Sequence, residues 1–597
     1  MFLRRTERRK DGKTHHYWSI VENKRLDNGR VTQRHVLYLG EISAPQAVAW
    51  RRAIEVLDED SGQARTLALF PQEDRCEAAA DESAVVRLRL SALRLCRPRQ
   101  WGACWLAGQL WRELRLDQFW ADHLPASRKG TRWDQILQVL VTYRLIAPGS
   151  EWRLHRQWFG DSAMADLLGG DFSLAETHKL YACHDLLLEH KPALFSHLTD
   201  RWRDLFNVDF EVLLYDLTST YFEVNASDLP EGAKRRHGYS RDKRPDCPQL
   251  VIDLVVTPEG LPLAYEVLAG NTADCKTLKT FLEKIEGQYG KARRVWVMDR
   301  GVPTEAVLAE MRKTDPPVQY LVGTPKGRLT RLEKALLDKP WREARQGVQV
   351  KLLSEDGELY IFAQSHDRVA KERAMRKRQL KWLWKRLAQI AAMDISRQEM
   401  LMKLGAARSK APSAWRLVDI KIDKQGAAFT VSLNRRKLRK VRRREGRYLL
   451  RTNLTDNDPA LLWQYYIQLV AVEQAFKTLK GDLAIRPVFH QNETRIEAHI
   501  FIAFLAYCLY ITLHRRLHAL APGLTARSAL EKFAAVQMID VHLPTTDGRE
   551  LILTRYTQPE PELQLLIGRL KLHLPSQPPP RITASAAPKA IPVVQTD

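Results

Sequence analysis

Two aspartates lie within or directly after apolar runs that have the composition of buried strands. Asp216 is in the middle of LLYDLTSTYFEV, and Asp299 follows the apolar residues of RRVWVMDRG. Burying a carboxylate among apolar side chains costs free energy unless it is paired or binds a cation. The position of Asp216 is therefore hard to explain by packing, whereas Asp299 taken alone could equally be a turn residue.

The chain around these aspartates alternates strand and helix patterns in a specific order. Three strand-like runs come first, LLYDLTSTYFEV, PQLVIDLVVT and LPLAYEVLAG. A helix, a strand, a helix and a strand follow. The order β-β-β-α-β-α-β predicts an α/β fold with a ribonuclease-H-like mixed sheet, with Asp216 on its first strand and Asp299 at the end of its fourth. Ligands of such sheets gather at the carboxyl ends of the strands.

A third acidic residue, Glu473, lies in the amphipathic segment YYIQLVAVEQAFKTLKGD. Taken alone it is a weak signal, because helices are rich in glutamate. Tyr466, Glu473 and Lys480 are separated by steps of seven, which place them near one face of a single helix. The pattern predicts a stripe in which Tyr466 stacks on or hydrogen-bonds to a base and Lys480 binds a phosphate.

Two strand aspartates and a helical glutamate predict a site for Mg²⁺, with Mn²⁺ as a substitute. Mg²⁺ prefers carboxylate oxygens and fills its other positions with water and substrate phosphate. Two such ions about 3.5–4 Å apart support an in-line displacement at phosphorus. We predict that Asp216 bridges both ions and that Asp299 and Glu473 each bind one.

The charge of the chain favours nucleic acid as the partner. Its 597 residues carry a formal net charge of +23, which is typical of proteins that bind polyanions. Ten residues at 435–444 include eight basic ones, and this density favours DNA contact over a merely solvated face. The predicted DNA-binding residues, besides Tyr466 and Lys480, are Arg300, Arg435, Arg436, Lys437, Arg439, Lys440, Arg442, Arg443, Arg444 and Lys477.

Cysteine use and hydropathy favour a reduced, cytoplasmic and nucleoid-associated protein. The seven cysteines are scattered and never form CxxC, so no zinc site is predicted, and Cys183–His184 is interpreted as a packing detail. No apolar stretch of about 18 residues lacks charges, so no membrane span is predicted.

Changes in composition and in the pattern of apolar residues divide the chain into several units, as its length requires. The basic hairpin and the helical region could each either contact DNA or serve as structure. The predicted units are a β-hairpin module at 1–60, a linker at 61–85, a helical DNA-binding domain at 88–207, the catalytic core at 208–325 and 454–520, a basic α+β insertion domain at 326–453, a C-terminal α/β segment at 521–574 and a disordered tail at 575–597.

The chain resembles insertion-sequence DDE transposases of the group marked by a Tyr-Arg-Glu-Lys signature. Tyr466, Glu473 and Lys480 match that signature, but Leu469 stands where the family has Arg. The segments HGYSRDKRPDCPQLVIDLVV and LPLAYEVLAGNTADCKTL also resemble the core of this group. The long gap between Asp299 and Glu473 is typical of an insertion domain in this family.

The resemblance implies recognition of double-stranded DNA at terminal inverted repeats, nicking that frees a 3′-hydroxyl, and transfer of that end to target DNA. It also implies a homodimer that pairs two DNA ends. Relatives often pass through a hairpin intermediate with a flipped base, which would give Tyr466 a role. The family's Arg contacts the terminal phosphate, so here that contact must come from elsewhere or be weaker.

Four further residues are candidates for a place near the site. His237 and Tyr239 follow the first strand of the core, and Trp382 and Trp384 lie on the basic insertion helix, although tryptophans on helices are more often core residues. Three alternatives stay open. They are a stand-alone nuclease of the same fold, an inactive or co-opted DNA-binding protein, and, least favoured, a membrane-surface protein.

Overall fold

The computed structural model describes residues 2–40 and 88–583 with internal gaps. The predicted linker at 61–85 and Arg300 lie outside the described residues. The gaps are 11–12, 26–30, 129, 209, 224–228, 230–231, 241, 243, 273–277, 279–281, 284, 288–293, 300–302, 325–331, 333–334, 337–338, 356, 424–427, 455–457, 487, 489 and 547.

The strands are numbered in chain order. They are β1 Phe2–Lys10, β2 Lys13–Arg25, β3 Val31–Gly40, β4 Arg94–Gln100, β5 Val212–Tyr221, β6 Gln249–Val256, β7 Pro262–Ala269, β8 Val295–Met298, β9 Gln319–Gly323, β10 Arg342–Arg345, β11 Val348–Glu355, β12 Glu358–Ser365, β13 Val418–Ile422, β14 Phe429–Leu433, β15 Arg447–Thr452, β16 Gln537–Pro544, β17 Glu550–Tyr556 and β18 Arg581–Ile582.

The helices are numbered in the same way among the described residues. They are α1 Gly102–Glu113, α2 Leu116–His123, α3 Trp133–Ile146, α4 Glu151–Arg153, α5 Phe159–Asp161, α6 Met164–Leu167, α7 Thr177–His184, α8 Lys191–Phe206, α9 Glu305–Lys313, α10 His366–Ala391, α11 Arg397–Lys410, α12 Pro412–Trp415, α13 Arg435–Arg443, α14 Pro459–Ile467, α15 Leu469–Lys480, α16 Glu493–Leu520, α17 Ala526–Phe533 and α18 Pro561–Arg569.

A nine-stranded mixed sheet forms the centre of the molecule. Its strand order is β10-β11-β12-β15-β9-β8-β5-β6-β7. Strands β5, β6 and β7 are antiparallel to one another, and β8 and β9 run parallel to β5. The predicted mixed α/β fold is therefore confirmed. Eight of the ten residues of strand β5 are buried, so both faces of this interior strand are covered.

The predicted insertion domain is only partly separate from this sheet. Strands β10, β11, β12 and β15 all come from the interruption, and β15 pairs antiparallel with β9, as in Leu450↔Gly323. Helices α10, α11 and α12 instead share a small core of their own with the hairpin β13–β14. The bounds of the insertion domain stay a prediction, while its strands continue the core sheet, because β15 pairs with β9 edge to edge.

One prediction in the helical region is wrong. The helical domain predicted at 88–207 begins with a short 3₁₀ turn at Leu90–Ala92, which strand β4 follows in place of a helix. Strand β4 pairs antiparallel with β16, more than 400 residues later. Its spacing of apolar residues fits a helix, but pairing with a distant strand decides the outcome. The remaining predicted helices from 101 to 207 are present in the structure, with different boundaries.

The two ends of the chain also differ from expectation. The N-terminal hairpin is present as β2 and β3, and a strand that the sequence does not predict, β1, completes a three-stranded sheet. At the other end, residues 575–583 are ordered against β17: Gln577 accepts a hydrogen bond from the Tyr556 backbone at 3.1 Å. The predicted disorder is wrong for 575–583, and residues 584–597 lie outside the described part.

Helix α16 is the central helix of the fold. Among the described residues it is the one helix long and apolar enough to cross a membrane, with a mean hydropathy of 1.8 over its most apolar window. That window is 94% buried inside the protein. A helix that is apolar all round is a core helix when other elements enclose it, and α3, α1, α7 and α15 pack against this one.

Candidate active site

The two aspartates lie side by side on neighbouring parallel strands. Strands β5 and β8 pair in register at Tyr215↔Met298, so the next residues along each strand are Asp216 and Asp299. Residues in register on parallel strands project from the same face, and the strands are about 4.8 Å apart. The structure therefore brings these two predicted site residues together.

The surroundings of the two aspartates differ. Between Val212 and Thr220, Asp216 is the one residue that is not fully buried. Asp299, directly after β8, is exposed. Both aspartates are therefore accessible to solvent, which a site for a hydrated ion and a phosphate requires.

The helix bearing Glu473 packs on the same strand. Helix α15 contacts β5 and β6. Val472 and Phe476 of this helix are buried, and Glu473 is exposed. Lys480, at its carboxyl end, donates to Asp242 in the loop after β5, at 3.0 and 3.1 Å. Since a helix rises 1.5 Å per residue, Glu473 lies about 10 Å back from Lys480.

The three predicted ligands are on adjoining elements, but they are not closed around a single point. Among the described residues, one group of three potential ligands has donor atoms that all lie within 4.8 Å of one another, and it consists of Glu151, His184 and His490. Asp216, Asp299 and Glu473 do not form such a group.

The predicted stripe on one helix is wrong for Tyr466. Helix α14 ends at Ile467 and α15 begins at Leu469, because the backbone tightens into a turn at Gln468. Glu473 and Lys480 remain on one helix. Tyr466 is half-buried, with its ring centroid 6.1 Å from that of Tyr448, so it belongs to a separate element beside them.

The structure shows cations near Lys480 that the motif does not contain. Leu469, at the position of the signature Arg, is half-buried and packs against the main core. Its hydrocarbon side chain cannot replace the missing guanidinium. Arg486 lies 3.1 Å from Asp242 and stacks over Tyr221 at 4.6 Å. Arg244 lies over the same ring at 4.9 Å. No spacing rule in the sequence points to Arg486, because the loop after β5 brings the groups together.

That loop also contains two of the predicted near-site residues. His237 is exposed with Nδ1 3.3 Å from the Pro245 carbonyl oxygen, and Tyr239 is 83% exposed. A side chain at Gly238 would collide with the carbonyl oxygen of Gly270 after β7. Glycine at 238 therefore lets the loop lie against the sheet edge, so the two segments that resemble the transposase core meet in space.

The basic run forms a helix with an almost entirely charged surface. In α13 only Leu438 is buried. Lys437 also pairs with Asp419 at 3.1 Å. Lys477 is exposed on α15. The exposed basic residues of the run are Arg435, Arg436, Lys437, Arg439, Lys440, Arg442, Arg443 and Arg444.

The two insertion tryptophans are not core residues. Trp382 is 39% and Trp384 42% exposed on α10, whereas Leu383 between them is fully buried. They lie on the part of the insertion that has its own small core, which is separate from the core around the strand of Asp216. Their proximity to the acidic residues stays a prediction.

Comparison with known proteins gives matches over most of the chain. Residues 215–509 match the family described as Transposase DDE domain, and residues 3–72 match the IS1634 family transposase N-terminal domain. No curated protein matches the chain. Among solved structures, a piggyBac transposase synaptic complex with hairpin DNA is similar at 8% identity and a TM-score of 0.35, over 76% of this chain and 82% of that one.

The two family matches agree with the order of the elements. The DDE-domain match contains β5, β8 and α15, and with them all three acidic residues. The N-terminal match contains the three-stranded sheet β1–β3. The chain therefore belongs to the insertion-sequence DDE transposases, enzymes that cleave DNA and transfer its ends.

Proposed function

We propose that Asp216, Asp299 and Glu473 form the catalytic site of this transposase and that the sheet bearing them is a ribonuclease-H-like core. The observation that supports this proposal is the β5–β8 register, in which the two aspartates follow paired residues on neighbouring parallel strands. Helix α15 packs on the same strand and holds the third carboxylate on its exposed side.

The donor set suits a hard divalent cation. Enzymes of this family use divalent metal ions, and three carboxylates offering only oxygen fit Mg²⁺ or Mn²⁺. When bound, the ions would activate a water or 3′-hydroxyl and stabilise the leaving oxygen. Because β5 pairs with β8 and packs against α15, Asp216 would hold both ions, while Asp299 and Glu473 would each hold one.

The cations nearby would position the DNA for this chemistry. Lys480 and Arg486 both face Asp242 at the carboxyl end of β5, where a phosphate beside the cut would lie. Arg486 is our candidate for the contact that Leu469 cannot make. The exposed helix α13 would bind phosphates farther along the duplex, and each phosphate neutralised adds to the salt dependence of binding.

The partner that this arrangement fits is double-stranded DNA carrying the terminal inverted repeats, joined to target DNA in the transfer step. Pairing two ends requires two active sites, so we propose a homodimer in the paired-end complex and a cytoplasmic, nucleoid-associated location. Tyr466 is proposed to contact a base displaced near the cut.

The test uses purified full-length protein and duplexes that carry the inverted repeats flanking its own gene. Cleavage at the repeat tip is expected with Mg²⁺ and not with EDTA. Asp216→Asn and Glu473→Gln should each lower the cleavage rate by about a hundredfold or more. Gln474→Ala, an exposed change on the same helix, should cleave at the rate of the unchanged protein.

The outcomes also separate the alternatives. Cleavage without joining of the 3′ end to a target plasmid would indicate a stand-alone nuclease. Binding without cleavage would indicate an inactive DNA-binding protein. Undiminished cleavage by Asp216→Asn would overturn the site assignment, while leaving the family membership unchanged.

A further inference from the structure

A buried cluster of one carboxylate and two imidazoles lies outside the acidic site. Glu151 is the first residue of α4, His184 the last of α7, and His490 precedes α16. Their residues are 3%, 0% and 7% exposed. Glu151 Oε1 lies 3.4 Å from His184 Nε2 and 3.3 Å from His490 Nε2.

The hydrogen bonding of His184 fixes which nitrogen faces the carboxylate. Its Nδ1 lies 2.8 Å from the Leu180 carbonyl oxygen. A carbonyl only accepts, so Nδ1 carries the proton and, in a neutral ring, Nε2 presents its lone pair to Glu151. A backbone carbonyl that holds one imidazole nitrogen and orients the other is the usual support for a metal-binding histidine.

Two acceptor atoms at the centre of the cluster have no hydrogen-bond partner among the described residues. They are His184 Nε2 and Glu151 Oε2, both buried. Buried polar atoms left without a partner cost free energy. A cation held by the cluster would satisfy both lone-pair acceptors, and one potential ligand atom from each of the three residues lies within 4.8 Å of the other two.

The spacing fits a tetrahedral ion. Bonds of about 2.0–2.1 Å to nitrogen and oxygen place two tetrahedral ligands about 3.3–3.4 Å apart. The two distances from Glu151 Oε1, 3.4 and 3.3 Å, have this value. Oε1 and the two Nε2 atoms would thus supply three tetrahedral positions, and Oε2 would add a contact on the carboxylate side of the ion.

A third histidine, His499, has hydrogen-bond partners outside the group of Glu151, His184 and His490. His499 Nε2 lies 3.3 Å from the Ile485 carbonyl oxygen, and its Nδ1 accepts from Arg144 Nη2 at 3.4 Å. The same Nη2 donates to the Gly149 carbonyl oxygen at 3.2 Å. Arg144 thus engages His499 and the backbone. His499 Nδ1 lies 3.7 Å from Glu151 Oε1, farther than either of the two proposed histidine ligands.

We propose that Glu151, His184 and His490 bind one Zn²⁺ ion with a structural role. Two imidazoles and a carboxylate suit zinc, whereas magnesium prefers oxygen ligands alone. All three residues are buried, which is expected of a structural and not a catalytic ion. The site joins the helical region to the connection between α15 and α16, and it would fix the position of the helix that bears Glu473.

The test measures metal in untagged full-length protein, because an oligohistidine tag would itself bind zinc. After growth with added zinc, we expect roughly one zinc per chain by plasma mass spectrometry, and a four-coordinate visible absorption when Co²⁺ is added to protein stripped with dipicolinate. Glu151→Gln and His184→Ala should each lose most of the zinc. Stripping should lower the melting temperature of the unchanged protein.

Two controls keep the result specific. His178→Ala removes a histidine whose side chain is 77% exposed at the other end of α7, and it should keep its zinc. Asp216→Asn should also keep it, which separates this site from the acidic one. The proposal is overturned if the unchanged protein contains no zinc and takes up no Co²⁺. This outcome does not depend on whether the cluster variants fold. Retention of zinc by folded His184→Ala would overturn it too.

Discussion

At the scale of single residues, Asp242 connects the groups that would meet the DNA. It accepts from Lys480 and lies against Arg486, and both partners face the end of β5. A carboxylate at this place neutralises cations that would otherwise attract phosphate. The Tyr-Arg-Glu-Lys pattern predicts Lys480 as a DNA-binding residue, but it contains nothing that indicates the acid holding it.

Removing that charge is expected to strengthen binding. Asp242→Asn should raise the affinity for duplex DNA several-fold at moderate salt. The change removes one negative charge that repels phosphate, and it frees Lys480 and Arg486 from their ion pairs with Asp242. Fluorescence anisotropy over a salt series measures the effect. Asp200→Asn, which affects the exposed Arg203 pair on α8, is a control of equal charge change. Weaker binding by Asp242→Asn alone would mean that the acid positions the cations.

At the scale of elements, the antiparallel pairing of β4 with β16 is a feature that the sequence does not reveal. Arg99, 1% exposed, donates to both oxygens of Asp540 at 3.1 and 3.0 Å, and its Nε lies 2.8 Å from Asp166. Burial alone would raise the pKa of Asp540, but Arg99 and Thr554 lower it below its ordinary value. The strand is therefore joined to its distant partner by a buried ion pair.

This pair predicts a pH-dependent contribution to stability. Because the folded pKa of Asp540 is below the unfolded value, its ionised form stabilises the fold above that unfolded value, and the contribution disappears as pH falls through the folded one. Asp540→Asn should destabilise the fold by about 1.5–3 kcal/mol at pH 7, since it removes the charge-assisted hydrogen bonds from Arg99 while Asp166 remains as the other anion beside Arg99. Urea unfolding at pH 7, 5 and 3 measures the free energy of unfolding across this range.

The difference between Asp540→Asn and the unchanged protein should narrow only toward the acid end of that series. Asp161→Asn, an exposed change in the same region, should leave the unfolding midpoint unaltered at each pH. An Asp540→Asn variant as stable as the unchanged protein at pH 7 would show that the pair is energetically neutral.

The elements that could be predicted are those determined by local pattern. Strands β5 to β9 follow from apolar runs and turns, and the neighbouring positions of Asp216 and Asp299 follow from the order of those strands. Long-range pairing could not be predicted, because nothing near β4 or β15 specifies a partner. The break at Gln468 could not be predicted either, since one tightened turn leaves the helical spacing of apolar residues unchanged.

At the scale of the whole molecule, part of the excess positive charge is concentrated on the exposed surface of α13. Of the net +23, eight basic residues lie exposed within 435–444. Such a segment adds an affinity that is independent of DNA sequence and sensitive to salt. Recognition of the repeat tip must then depend on other residues.

Charge removal on α13 is expected to weaken binding to all duplexes alike. Arg442→Ala combined with Arg443→Ala should reduce the slope of log affinity against log salt by about 0.9 for each phosphate that is no longer neutralised. Specific and random duplexes should show the same drop in affinity. The matched control pairs Lys410→Ala with Arg527→Ala, an equal charge change on α11 and α17. An unchanged salt slope in the α13 variant would exclude this helix from the DNA interface.

The joining of β15 to β9 has a consequence for any shortened form of this enzyme. Excising residues 326–453 would remove the cover from an inner strand and leave its row of amides and carbonyls unsatisfied. Such an edge is a template for a strand of another chain. We expect a form without this segment to associate through the uncovered edge of β9, so the strands of the insertion also protect the core sheet from pairing with other chains.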